Sequence, residues 1–354
     1  MLQIVNQTPL ATGFSFFTDK TGAERVTLVV KAQLNLPADG EAVSLHPDPC
    51  EVLVQDLYHG EPGQSSLHLA GELVMEKTAT DVALVGSAVA PGGIAVPQMP
   101  VSLTIGAQQH RLLVSGDRTW KQDLSGATEP VPFETMPITY ERAFGGTLPP
   151  VKEDQAPAYC PENPVGTGFA TKRAEARGAA LPNIETIDQP LTHWQQKPPV
   201  AGFGFIDTSW QPRMALVGTY DETWQRNKAP LLPDDFNPDY FNAAHPDLIH
   251  QPFLQGGERV ILDGFHADGP RTFTLPQLQL SAAFNLAGSK HPTAFDLWQV
   301  VFHPNQNRFT MAWGAGFAFG KMPSRLREVV IVDRNQFFAA APSLGSAQSS
   351  EVPS

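Results

Sequence analysis

The sequence predicts a mainly β protein: antiparallel sheets of sandwich or barrel-like form, joined by long ordered loops, with few short helices. Three observations carry this. Apolar residues alternate with a period of two in short runs at both ends of the chain. Glycine and proline are plentiful, 29 and 33 of 354 residues, while charged residues make up only 17%. That composition suits turns and ordered loops better than a helical bundle. Hydrophobic residues reach 42%, enough to build a sizeable core and to exclude disorder of the whole chain.

The elements follow in order. From residue 1 to 145 the alternating positions are Phe14 and Phe16; Val26, Leu28, Val30, Ala32, Leu34 and Leu36; Val52 and Val54; and Leu67 and Leu69. Further strands are predicted over 82–90, 101–105 and 111–115. Turn residues separate the runs at Asp19 to Gly22, Asp39-Gly40, Glu61-Pro62-Gly63 and Pro91-Gly92-Gly93. Between 146 and 245 the period is lost among prolines, which exclude a long helix and a central strand. This zone nevertheless keeps Trp194, Phe203, Phe205, Trp210, Trp224, Phe236, Tyr240 and Phe241, so it reads as ordered loop packed on a scaffold. A capping box, with the Thr219 hydroxyl at the N-cap and Glu222 three residues on, predicts one short helix over 220–226. From 246 to 338 strands return, over 259–262, 278–284, 296–302, 308–313 and 328–332. The Ser/Pro/Ala-rich tail, 339–354, is expected to be flexible.

Charge narrows the function classes. A net charge of −12 and a pI near 5.2 disfavour nucleic acid and anionic membranes as partners. The uncharged stretch 82–110 contains Pro91, Pro97 and Pro100, and reads as two strands rather than a membrane span. Met1 to Asn6 show no basic segment leading into an apolar run, so no signal peptide is expected. Cys50 and Cys160 are expected to be reduced thiols in a cytoplasmic protein.

Most chemical motifs fail on inspection. The run Gly314 to Lys321 evokes a phosphate loop, but Ala315 stands at a required glycine and Met322 where a hydroxyl must reach magnesium. Asp235 to Asp239 mimics the opening of a calcium loop, yet Tyr240 replaces the turn glycine and Pro246 the bidentate glutamate, so an Asx-type turn is the better account. Among the ten histidines the closest pair is His245 and His250, and no ligand spacing supports a metal. Neither a cofactor nor a metal is expected.

The most distinctive sequence is Gly116-Asp117-Arg118-x-Trp120, then Pro130-Val131-Pro132-Phe133, then Tyr140-Glu141-Arg142-Ala143-Phe144-Gly145-Gly146. Charges among aromatics predict a partly buried salt-bridge network at a strand end, with an arginine stacked on a ring. A partner-binding surface, or paired carboxylates for hydrolysis at Asp117 and Glu141, are the alternatives.

These steps, in this order, resemble an uncharacterised-domain family encoded beside type VI secretion effectors. Other steps match as well: Lys77 before Thr80-Asp81-Val82, Asn163-Pro164-x-Gly166-x-Gly168, Leu181-Pro182-Asn183-Ile184-Glu185, Gly202-Phe203-Gly204, Trp210-x-Pro212-Arg213 and Gly218-Thr219-Tyr220-Asp221-x-x-Trp224. The match covers roughly residues 1 to 280. The resemblance implies a non-enzymatic adaptor or chaperone that holds a type VI effector, through a PAAR or PAAR-like tip domain, and helps load it on the spike protein. It carries over no catalytic residues. The eight rings from Trp194 to Phe241 are the expected contact surface, because buried aromatics dominate interface energetics. The competing class is a β-sandwich hydrolase or carbohydrate-active enzyme using Asp117, Glu141 or Glu258.

Overall fold

The computed structural model describes residues 2–38, 41–150, 152, 154–320 and 326–338. The expected flexible tail, the Asp39-Gly40 turn and the end of the glycine run at Lys321 and Met322 lie outside the described residues. The protein is mainly β, 40% strand against 9% helix, with several sheets and, among the described residues, none closed into a barrel.

A six-stranded sheet forms the centre, in the order Ile249–His250, Thr80–Leu84, Asp296–His303, Arg308–Gly320, Glu24–Asn35 and Ala11–Thr18. It draws strands from both β regions of the sequence. Pairing in this sheet is antiparallel except between Thr80–Leu84 and Asp296–His303, which run parallel. A five-stranded sheet has the order Ile184–Thr186, Gln108–Ser115, Gln98–Ile105, Arg259–Asp263 and Arg271–Thr274. A four-stranded sheet joins Gln3–Asn6, Leu326–Asp333, Leu280–Leu286 and Ser289–Ala294.

The alternation in Glu24–Asn35 sets the layers. Val26, Leu28, Val30, Ala32 and Leu34 face one common core, together with Val101 and Leu103 of the five-stranded sheet and Phe284 and Ile331 of the four-stranded one. Phe273 bridges the two larger sheets, its ring 5.3 Å from that of Phe309. The opposite face carries Thr27, Val29, Lys31 and Gln33, and these are buried too. The irregular segment containing Val52, Leu73 and Val74 covers Val29 there. The strand predicted at Val52 and Val54 is therefore absent: Leu53 hands its amide to the Glu72 carboxylate at 2.9 Å instead of to a neighbouring strand. The strand predicted over 82–90 breaks into Thr80–Leu84 and Ser87–Val89, which pair with different partners.

The two rejected motifs have local structural roles. Gly314 sits inside the strand Arg308–Gly320, and a Cβ there would stand 2.1 Å from the Trp298 ring. The glycine serves close packing, as a strand glycine should. Asn237 forms the Asx turn, its side-chain oxygen accepting the Asp239 amide at 3.0 Å. The predicted helix exists as Glu222–Asn227, but its cap is Asp221, which accepts the Trp224 amide at 2.8 Å. Thr219 instead donates its hydroxyl to Asp235 at 2.7 Å.

Candidate functional site

The distinctive motif residues gather around a cleft of about 650 Å³ at the end of the strand Gln108–Ser115, lined by Asp117, Arg118, Glu141, Arg142 and Asn183 among others. Arg118 and Glu185 form an ion pair, their side chains 12% and 1% exposed, and Glu185 also accepts the Leu191 amide at 2.7 Å. Arg118 reaches the Pro182 carbonyl as well. Asp117 does not join this pair. It is exposed, and it meets Arg142 at 3.6 Å and the Asn183 amide group at 2.9 Å. The expected network thus splits in two, one part buried and one at the surface. The arginine over a ring, among the described residues, is Arg213 above Tyr240 at 5.2 Å rather than a motif arginine.

Glu141 has a different task. It accepts the Ser66 amide at 2.6 Å and the Ser66 hydroxyl at 2.9 Å, tying the distant segment at Leu67–Leu69 to the cleft. Burial pushes its carboxyl up, but these donors and the Thr139 hydroxyl outweigh burial and hold it below its ordinary range. Beneath it Asn163, fully buried, donates to the carbonyls of Tyr140 at 2.7 Å and Phe144 at 3.0 Å. Gly145 is left-handed with φ 152, and a Cβ there would lie 2.2 Å from the Asn163 carbonyl oxygen. That contact is why the Phe144-Gly145-Gly146 step requires glycine. Trp120 and Phe144 pack under the cleft with Cys160 and Leu181. Glu258 is not part of the cleft lining; it accepts the Gln255 amide at 2.9 Å just before the strand Arg259–Asp263. The three carboxylates of the enzyme alternative are therefore not one constellation.

The matched steps outside the cleft are loop anchors. Asp81 pairs with Lys77, both fully buried, and also accepts the Ala243 amide at 2.8 Å and the Asn242 side chain at 3.0 Å. Arg213, 7% exposed, donates to the carbonyls of Ile206 and Tyr240, each at 2.8 Å. Tyr58 donates to Asp207 at 2.7 Å.

Burial corrects the expected contact surface. Phe203, Phe205 and Trp210 are buried and pack the loops onto the sheets, and Phe236 is buried against Tyr240 and Phe241, so these four cannot meet a partner. Trp194 is half-buried against the Trp120 cluster. Trp224, Tyr240 and Phe241 are half-buried near the surface. Beside them Tyr220 is 48% exposed and stacks edge-on to Trp224 at 4.6 Å, and Met214 is 52% exposed. Neither Tyr220 nor Met214 is among the eight expected contact rings, although the step Thr219-Tyr220-Asp221 contains the first.

A second cluster lies outside the cleft lining. His110 and His245, buried, have ring centroids 5.0 Å apart, and both face the exposed Asp247. Residues 110, 245 and 247 could hold a metal ion; the wide sequence separation hid this grouping. Cys50 and Cys160 are free thiols, and burial pushes the Cys160 thiol up to about 11. No helix among the described residues is long and apolar enough to cross a membrane.

No curated protein and no solved structure matches the chain. A family model, DUF2169, described as an uncharacterized protein conserved in bacteria, matches residues 21–314, a span that contains the whole cleft motif and every loop anchor described above. The chain therefore belongs to this conserved bacterial family.

Proposed function

We propose that the protein is a non-enzymatic adaptor or chaperone for a type VI secretion effector, engaging it through a PAAR or PAAR-like tip domain and helping to load it on the spike. The ordered run of motif steps supports this reading at the level of sequence. The observation that carries it in the structure is the surface pair of Tyr220, 48% exposed, and Trp224, their rings 4.6 Å apart, on a loop zone that also exposes Met214. Exposed aromatic side chains that touch one another are the kind of group that anchors interfaces. The motif carboxylates, by contrast, are engaged in the fold: Glu141 by Ser66 and Asp117 by Arg142 and Asn183.

The test is a pull-down of the effector's tip domain by Tyr220→Ala and Trp224→Ala variants that melt like wild type. Both should lose most of the binding. In cells, deleting the gene should lower the effector's steady-state level and its secretion while the spike protein is unchanged, because an adaptor protects its cargo by mass action. Unimpaired binding by both well-folded variants would move the surface elsewhere. An unchanged effector level would remove the chaperone role.

A further inference from the structure

We propose that the chain binds one divalent transition-metal ion of the zinc class between His110 Nδ1, His245 Nδ1 and the Asp247 carboxylate. His110 comes from the strand Gln108–Ser115, and His245 and Asp247 from the entry to the short 3-10 helix Pro246–Leu248. The ligand atoms all lie within 4.8 Å of one another. Asp247 Oδ2 is 3.5 Å from His110 Nδ1 and 3.8 Å from His245 Nδ1. A tetrahedral ion with bonds of about 2.0–2.1 Å sets its ligand atoms about 3.4 Å apart, so a small movement closes the set.

The orientation of the two rings distinguishes this cluster from a chance grouping. His110 Nε2 lies 3.1 Å from the Gly202 carbonyl and His245 Nε2 2.9 Å from the Val200 carbonyl. A carbonyl only accepts, so each ring carries its proton on Nε2. The neutral His110 ring then turns its Nδ1 lone pair toward the Asp247 carboxylate, while that of His245 points at the Asp247 backbone amide beside it. Both rings are buried, and burial favours the neutral form. The His110 lone pair, facing the carboxylate with no donor between them, repels it, and a cation makes the same geometry attractive. A backbone carbonyl on the far ring nitrogen is also the outer contact that metal-bound histidines characteristically make, fixing tautomer and ring angle together.

The surroundings complete the site. The Phe203 ring sets His110 edge-on at 5.3 Å, and Gln108 donates its side-chain amide to the Asp247 carbonyl. His245 Nδ1 also accepts the Asp247 amide at 3.2 Å, a hydrogen bond that the ion displaces. The histidine side chains are 7% and 10% exposed and that of Asp247 63%, so the ion enters from the carboxylate side and keeps its remaining position toward solvent. Two imidazoles with one carboxylate suit zinc and its transition-metal neighbours; magnesium and calcium prefer oxygen ligands throughout.

The experiment titrates the chelator-treated full chain with zinc sulfate by calorimetry, a readout that needs no protein partner. One ion per chain is expected. Asp247→Asn, at an exposed position, should retain the far-UV circular dichroism of wild type and weaken binding at least about tenfold. His110→Gln should lose as much where it folds, and His193→Ala, at an exposed histidine elsewhere, should bind as wild type. Equal zinc affinity in wild type and Asp247→Asn overturns the proposal, as does a folded wild type that takes up no zinc.

Discussion

The sheets and the loop zone over 146–245 are held by different physics. In the sheets, alternating apolar side chains share one core, so stability is spread over many small contributions: Val26, Leu28, Val30, Phe302, Phe309 and Ile331 are each almost wholly buried. The loop zone lacks such a period. It is fixed by a few buried polar groups that each hold several backbone positions, such as Asn163 on Tyr140 and Phe144, Arg213 on Ile206 and Tyr240, and Asp81 on Ala243 and Asn242. Apolar burial degrades by degrees. A polar anchor fails at once, because removing one partner leaves the other desolvated and unpaired.

The largest expected effect tests that contrast directly. Asp81→Ala strips Lys77, 1% exposed, of its counter-charge and frees the Ala243 amide. Breaking a buried pair in this way costs about 3–5 kcal/mol. Urea denaturation should show the loss, and hydrogen exchange should show amides around Ala243 opening first. A loss below about 1 kcal/mol would break the comparison.

A pH series gives the next effect. Burial, with help from Arg308, pushes His303 from 6.5 down to about 4. Between those values the unfolded chain binds a proton that the folded chain refuses, so stability falls as pH drops through the window and levels off below it. The shift corresponds to about 3 kcal/mol from this one group. His303→Gln should flatten the wild-type slope between about pH 6.5 and 4. Parallel slopes in the two proteins would show that His303 is protonated at no cost in the native sheet.

How much of this was legible beforehand follows the same division. Period-two alternation placed the strand at Glu24–Asn35, and returning apolar runs placed those at Asp296–His303 and Arg308–Gly320. It failed at Val52, where the chain crosses a sheet face and an alternating pair is only a coincidence of covering residues. The cleft was half legible. Its residues stand close in sequence, but the partners that decide their roles, Ser66 for Glu141 and Glu185 for Arg118, lie 75 and 67 positions away. Rings were visible as rings, yet nothing local separates Phe203, which packs the loop, from Tyr220, which faces out. The His110, His245 and Asp247 cluster had no local signature at all, being assembled by a strand and a distant turn.

On the sheet side a conservative truncation sharpens the contrast. Ile331→Val, in the strand Leu326–Asp333, removes one methyl group from the common core and should cost about 0.5–1.5 kcal/mol. The thermal unfolding midpoint should shift accordingly with cooperativity unchanged. A loss as large as that of Asp81→Ala would mean that the core is as brittle as the anchors.

The smallest effect is expected where the sequence is most distinctive. Asp117 sits in the middle of the Gly116-Asp117-Arg118 step, and read from sequence alone it is the natural counter-charge for its neighbour Arg118. The structure gives that task to Glu185, whose side chain is 1% exposed. Asp117, 75% exposed, faces Arg142, itself 38% exposed, at 3.6 Å. Exposed pairs contribute about 0–1 kcal/mol, since water solvates either charge once its partner is gone. Asp117→Ala also removes an acceptor from Asn183, but that side chain still donates to the Ser115 carbonyl at 3.1 Å. The variant should therefore unfold within about 1 kcal/mol of wild type, whereas Glu185→Ala, which abandons a buried guanidinium, should fall in the same range as Asp81→Ala. Comparing the two by chemical denaturation separates a motif kept for its buried pair from one kept for its surface charge. If Asp117→Ala proves as damaging as Glu185→Ala, the two halves of the network act as one unit, and the cleft belongs with the anchors rather than with the exposed surface.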